Sequence, residues 1–168
     1  MHIQLIPFLC SFAPMQKEES KIDYENSIGP WLGKTAKIVD GYLHEELCRH
    51  GLDLSKEQMI VLKKLHDQDG LNQNELAFLT FRDKSSLTRL LSKMEKKNYI
   101  RRKQNKEDRR INEVYLTDEG RNTFKKTRPA ISNLLNKIEQ NITVEEKYQI
   151  IGILKKVQQN ITSKEAVL

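Results

Sequence analysis

The chain has 168 residues, 38% of them hydrophobic and 31% charged, with a formal net charge of +6. That much apolar material can build a core, which excludes a wholly disordered chain, and the polarity suits helices with one apolar stripe better than a buried parallel sheet. Two cysteines, Cys10 and Cys48, are too few for a disulfide framework, and no Cys/His cluster has zinc spacing.

Met1 to Pro14 is apolar but short, broken by Pro7 and Pro14, and has no Lys or Arg ahead of its apolar run. It is too short to span a bilayer and lacks the charged start of a signal peptide. Residues 1–26 read as a disordered segment, or in part as sequence upstream of a start at Met15. No membrane partner is expected, and a reducing cytoplasm is the default compartment.

The first long helix is expected over 28–50. Ile28, Leu32, Val39, Leu43 and Leu47 keep to one face, and Gly51 closes the helix. Ser55-Lys56-Glu57-Gln58 is a capping box that opens a helix over 55–67, and Asn72-Gln73-Asn74-Glu75 is a weaker version for 72–79. Asp83 is the expected N-cap of a helix over 84–97. Thr117, followed by Asp118 and Glu119, caps a helix over 117–140, and Thr143-Val144-Glu145-Glu146 opens the last over 143–162. Residues 163–168 are a tail.

Between Lys97 and Thr117 the pattern changes. Tyr99-Ile100-Arg101-Arg102 and Ile111-Asn112-Glu113-Val114-Tyr115-Leu116 are rich in β-formers and alternate in polarity. The stretch between them, Lys103 to Arg110, has no apolar residue, so a β-hairpin with a basic tip is predicted. From Arg82 to Arg110 there are twelve basic and four acidic residues, net +8, and the rest of the chain carries −2. One stretch holds the whole basic excess, as a polyanion site requires.

The helix over 84–97 packs Leu87, Leu90, Leu91 and Met94 on one face. Its front carries Ser85, Arg89, Ser92 and Lys96, flanked by Ser86 and Lys93. Small hydroxyls let a helix approach bases, and Arg can pair bidentately with guanine. By itself this face fits an ordinary solvated surface equally well. The hairpin decides between them. Arg101, Arg102, Lys103, Lys106, Arg109 and Arg110 would repel one another unless a phosphate backbone relieved the repulsion. An Arg at the tip could enter a narrow minor groove, with Asp108 orienting Arg110 by an ion pair.

Leu76-Ala77, Asp83 to Leu90, Met94 to Arg102 and Asp108 to Gly120 together resemble the MarR (multiple antibiotic resistance regulator) family over roughly residues 28–162. Asp108, Arg110, Val114, Leu116, Thr117 and Gly120 match its wing signature. Asn98 stands where that family usually has Gly, and Asn tolerates the left-handed conformation needed there. The resemblance implies a mainly α fold: a winged helix-turn-helix lobe over 51–116 with a small β-hairpin wing. It also implies a helical dimerisation region from both chain ends, 27–50 and 117–162.

It implies a homodimeric transcription regulator, usually a repressor, on double-stranded DNA with a pseudo-palindromic operator. The DNA-binding set is then Ser85, Ser86, Thr88, Arg89, Ser92, Lys93, Arg101, Lys106, Asp108, Arg109 and Arg110. A ligand pocket between dimer body and lobe is expected near Trp31, for a small phenolic or carboxylate effector; Trp31 also fits a core or interface role. No cofactor, metal or enzymatic activity is expected, since no phosphate loop, metal cluster or nucleophile elbow is present. Two other readings remain open: a winged-helix protein-interaction module, and a redox switch through Cys10 or Cys48.

Overall fold

A computed structural model describes residues 23–105 and 107–162. Its elements follow the order expected from the sequence, with two additions. Helix α1 spans Ile28–Arg49, α2 Lys56–Asp67, α3 Gln73–Leu79, α4 Lys84–Lys96, α5 Asp118–Lys126, α6 Arg128–Ile138 and α7 Val144–Thr162. Strands β1 (Leu71–Asn72), β2 (Ile100–Gln104) and β3 (Asn112–Leu116) form an antiparallel sheet in the order β1-β3-β2. Ile100 faces Leu116 across the hairpin, Arg102 faces Val114, and Leu71 faces Val114 from the other side.

The caps form as their residues dictate. Ser55 Oγ accepts from Gln58 N at 3.3 Å while Gln58 Oε1 accepts from Ser55 N at 3.1 Å. Asn72 and Glu75 make the same reciprocal pair, both bonds at 2.9 Å. Thr117 Oγ1 accepts from Gly120 N at 3.0 Å, and Asp83 Oδ1 accepts from Ser86 N at 2.8 Å. Each satisfies an N–H that the first helical turn leaves without a partner.

Three helices end on one motif. After α1, Gly51 takes φ +68, Gly51 N donates to Cys48 O and Leu52 N to Leu47 O, each at 2.9 Å. After α4, Asn98 takes φ 57 with the equivalent bonds to Glu95 O and Met94 O, so the substitute for Gly holds its conformation. After α3 the same position is held by Phe81, at φ 51 and 95% exposed. A bulky residue there is strained, and its side chain gains no burial in return.

Two expectations are corrected. The single helix over 117–140 is broken at Thr127, which is both C-cap of α5 and N-cap of α6. Pro129 lies in the first turn of α6; within a continuous helix its ring would clash with the preceding turn and remove a hydrogen bond. As a result α5 packs on α2 and β3, while α6 packs on α1. Residues 23–26, assigned to the disordered segment, instead form a turn: Asn26 N donates to Asp23 Oδ1 at 3.1 Å and the Ser27 hydroxyl donates to Asp23 O. Residues 1–22, with Cys10, lie outside the described residues, as do Lys106 and residues 163–168.

The core joins α2 (Val61, Leu62, Leu65), α3 (Leu76), α4 (Leu87, Leu91, Met94) and the sheet (Ile100, Val114, Leu116). Leu43 and Leu47 of α1 extend it to Ala130 and Leu134 of α6. There Glu46, 2% exposed, is paired with Arg49 and accepts from Asn133 Nδ2 at 2.9 Å. By contrast, α7 buries none of its residues and leaves Tyr148, Ile150, Ile151, Ile153 and Ile161 open. Ile28, Trp31 and Ile38 of α1 are also exposed. Among the described residues no helix is long and apolar enough to cross a membrane.

Candidate nucleic-acid interface

The core grips α4 by Leu87, Leu91 and Met94, which turns its opposite face outward. Ser85, Thr88, Arg89 and Lys93 are exposed there, with Ser86 and Ser92 half-buried on the two flanks. Among the described residues, neither Arg89 nor Lys93 has an ion-pair or hydrogen-bond partner. The hydroxyls do have partners. Ser85 Oγ donates to Asp83 Oδ1 at 2.6 Å, and Thr88 Oγ1 donates to Lys84 O at 2.7 Å. The Ser85 hydroxyl, then the Ser86 N–H, hold the Asp83 carboxyl below its ordinary range.

On one flank of α4, Arg82 donates from Nη1 to Ser86 Oγ at 3.0 Å, and its Nη2 lies 3.7 Å from Glu57 Oε1 on α2. On the other flank the wing is tied down. Arg102 of β2 donates from Nε to Glu95 Oε2 at 3.1 Å and from its backbone N to Glu95 Oε1 at 3.3 Å. Its Nη2 also reaches Ser92 Oγ at 3.4 Å. The guanidinium holds the Glu95 carboxyl below its ordinary range. Arg102 is thus committed to α4, and the wing and the recognition face are held at one spacing.

The hairpin tip is built from short side chains. Asn105 Oδ1 accepts from Glu107 N at 2.8 Å and Asp108 N at 3.1 Å, while Asn105 Nδ2 donates to Glu113 Oε1 at 2.6 Å. Tyr115 OH donates to Glu113 Oε2 at 2.7 Å, which raises the tyrosine and lowers the glutamate pKa. Asp108 corrects an expectation: its Oδ1 accepts from the backbone N of Arg110 at 2.9 Å, and no ion pair to that guanidinium forms among the described residues. A side chain two residues back reaches the N–H more directly than the end of a long arginine. Asp108 therefore shapes the turn and leaves the Arg110 head free. Arg109 and Arg110 are both exposed, and Arg101 lies over the Tyr115 ring at 5.5 Å.

Trp31 sits apart from this face, at the start of α1, donating from Nε1 to Glu25 O at 2.7 Å. With Tyr24, Pro30 and Lys34 it lines a notch of about 400 Å³. A larger cleft of about 810 Å³ separates the end of α1 and the start of α2 from the Ser86–Lys93 flank of α4. Cys48 opens onto it, exposed, its Sγ 3.8 Å from His44 Nε2. Arg82 and Glu95 join this surface through Ser86 and Arg102, beyond the residues the sequence points to. The four-residue spacing of Arg82 and Ser86 was a signal for the first; the Glu95–Arg102 pair joins a helix to a strand and had none.

The MarR family model matches residues 54–111. The HTH-type transcriptional regulator SarZ of Staphylococcus haemolyticus is 34% identical over 133 residues, covering 68% of this chain and 88% of that protein. SarZ of Staphylococcus epidermidis is 36% identical over 98 residues, covering 55% of this chain and 61% of that protein's length. Among solved structures, the transcriptional repressor CouR bound to a 23-mer DNA duplex shares the fold. Its TM-score is 0.73 over 79% of this chain and 92% of that one, at 20% identity.

Proposed function

The chain belongs to the MarR family, and from that membership and the geometry of α4 and its wing we infer that it is a homodimeric repressor of transcription. It binds double-stranded DNA at a pseudo-palindromic operator in the cytoplasm. The observation that carries this is the sorting of the basic residues. Arg89, Lys93, Arg109 and Arg110 are exposed and have no ion-pair or hydrogen-bond partner for their heads among the described residues, while Arg102 is used to fix the wing against α4. Free cations on a helix front and a projecting tip fit a major groove and its flanking minor groove.

The dimer reading rests on α1 and α7. A 19-residue helix that buries nothing, about 28 Å long by its rise, leaves an isoleucine-rich face open to water. A second copy of the same face would cover it, and would set the two recognition helices about 10 base pairs apart. A phenolic carboxylate as effector fits the notch at Trp31, where the Lys34 ammonium lies 5.3 Å from the indole centroid. Trp31 is the only tryptophan, so titrating salicylate-like ligands against its emission tests that site directly; an unchanged spectrum up to millimolar ligand removes it.

Operator selection from a random duplex pool, followed by salt titrations, tests the DNA reading. Arg110→Ala should weaken binding to every sequence and flatten the salt slope by about 0.9 per protomer, about 1.8 for the dimer. Arg89→Ala should weaken operator binding more than non-specific binding. Uniform weak affinity without an enriched sequence would instead favour a protein-interaction module.

A further inference from the structure

We propose that Arg82 and Asp83, which need touch no base themselves, set the hydrogen-bond polarity of two hydroxyls on the recognition face: Ser86 is a donor and Ser85 an acceptor only, beside Thr88, which its own bond to the Lys84 carbonyl makes an acceptor only. The proposal rests on the DNA-binding reading above.

A hydroxyl has one proton to give and lone pairs to receive with, so its free capacity depends on what its neighbours already take. The neighbours here are one-sided. A guanidinium can only donate, so the bond of 3.0 Å between Arg82 Nη1 and Ser86 Oγ uses the Ser86 oxygen as acceptor and leaves its proton free. An ionised carboxylate can only accept, so the bond of 2.6 Å to Asp83 Oδ1 consumes the Ser85 proton. The Asp83 carboxyl is ionised at neutral pH, its pKa lowered by these same bonds. A backbone carbonyl also only accepts, so the Thr88 proton is committed to Lys84 O at 2.7 Å. These assignments follow from the partners' chemistry alone.

Arg82 is well placed for the task. It sits between Glu57 of α2 at 3.7 Å and Ser86 of α4, with 29% of its side chain exposed, so its guanidinium is braced from behind. Arg102 treats Ser92 the same way on the wing side, at 3.4 Å. Among its hydroxyls the recognition face therefore presents donors on its two flanks and acceptors between them, beside the donor heads of Arg89 and Lys93. Ser86 should pair with purine N7, guanine O6 or thymine O4. Ser85 and Thr88 should pair with the amino groups of adenine or cytosine.

The experiment starts from an operator selected by the full chain from a random duplex pool. If nothing is enriched, the DNA-binding reading fails and this proposal with it. Repeating the selection with Ser86→Ala, Ser85→Ala and Thr88→Ala identifies the base pair each side chain reads. At the Ser86 pair, analogues lacking one acceptor (7-deazapurines, or 5-methyl-2-pyrimidinone for thymine) should weaken wild-type binding about five-fold and leave Ser86→Ala unaffected. At the Ser85 and Thr88 pairs the effective deletion should be the amino group, as in purine deoxyriboside for adenine.

Arg82→Leu should lower the ratio of operator to non-specific affinity by a similar factor. Combined with Ser86→Ala it should be no worse than Ser86→Ala alone, and Arg82→Lys should restore the ratio. If Arg82→Leu and Ser86→Ala combine additively, Arg82 is a structural brace only. That result, or amino deletion rather than acceptor deletion weakening the Ser86 pair, overturns the proposal.

Discussion

Gly120→Ala tests how the wing is anchored. Gly120 lies in the first turn of α5, just after β3 ends, and a Cβ built there would lie 2.0 Å from the Tyr99 carbonyl oxygen and 2.9 Å from its carbon. Carbon and carbonyl oxygen ordinarily stay about 3.3 Å apart or more, so something must move by roughly 1.3 Å. The obstacle is backbone at the root of β2, and the same carbonyl accepts from Thr117 N at 3.1 Å. No rotamer change relieves it.

Overpacking a tight site costs about 1–3 kcal/mol, and an obstacle made of main chain places this one near the top of that range. For a chain of this size, about 3 kcal/mol lowers the melting temperature by roughly 6–12 °C. Thermal unfolding followed by circular dichroism measures it. Gly33→Ala is the matched control: it lies in α1 with nothing within 4 Å of the added carbon. It should gain up to about 1 kcal/mol from helix propensity. A Gly120→Ala protein melting within about 1 °C of wild type would refute the argument that this glycine holds the wing root against α5.

Phe81→Gly should leave stability unchanged or raise it by up to about 1 kcal/mol. It removes a left-handed strain of about 1–2 kcal/mol, offset in part by the greater freedom of glycine when unfolded. The side chain is 95% exposed, so no burial is lost. Urea unfolding checks this, and a clear loss of stability would mean that Phe81 packs against something in solution. For Glu95, the depressed carboxyl gives the sign of the pH dependence. Its tie to Arg102 contributes in full above its ordinary value of 4.5 and is lost as pH falls through the lower folded value. Melting curves from about pH 7 down to about pH 3 should therefore fall less steeply for Glu95→Gln than for wild type, and parallel curves would count against the tie.

Much of the lobe was legible because its signals are local. Caps at Ser55, Asn72, Asp83 and Thr117 each act within three residues, and all four form the predicted bond. What escaped was non-local or competitive. The two residues of β1 carry no strand pattern of their own; pairing of Leu71 and Asn72 with Val114 and Glu113 makes them a strand. The break at Thr127 has a local signal in Pro129, which competes with the capping pattern at Thr117 that favours one continuous helix. Asp108 meets the expected neighbour, Arg110, through its backbone N–H and not its guanidinium, because a short acidic side chain reaches the nearest N–H first.

The same limit applies to charge. A count of twelve cations from Arg82 to Arg110 treats each as available to a phosphate. In the fold, Arg82 faces Glu57, Lys97 is paired with Asp53 at 2.6 Å, and Arg102 is held by Glu95. Two of those acids, Asp53 and Glu57, lie outside the counted stretch. The excess that DNA would meet is therefore smaller than the sequence suggests, and it is sorted by position. Arginines on the flanks of α4 serve as braces, and those on its front and at the hairpin tip have no partner among the described residues. Counterion release depends on the free set alone. Removing a brace such as Arg102 should thus alter the salt slope less than removing Arg110, although both carry the same charge.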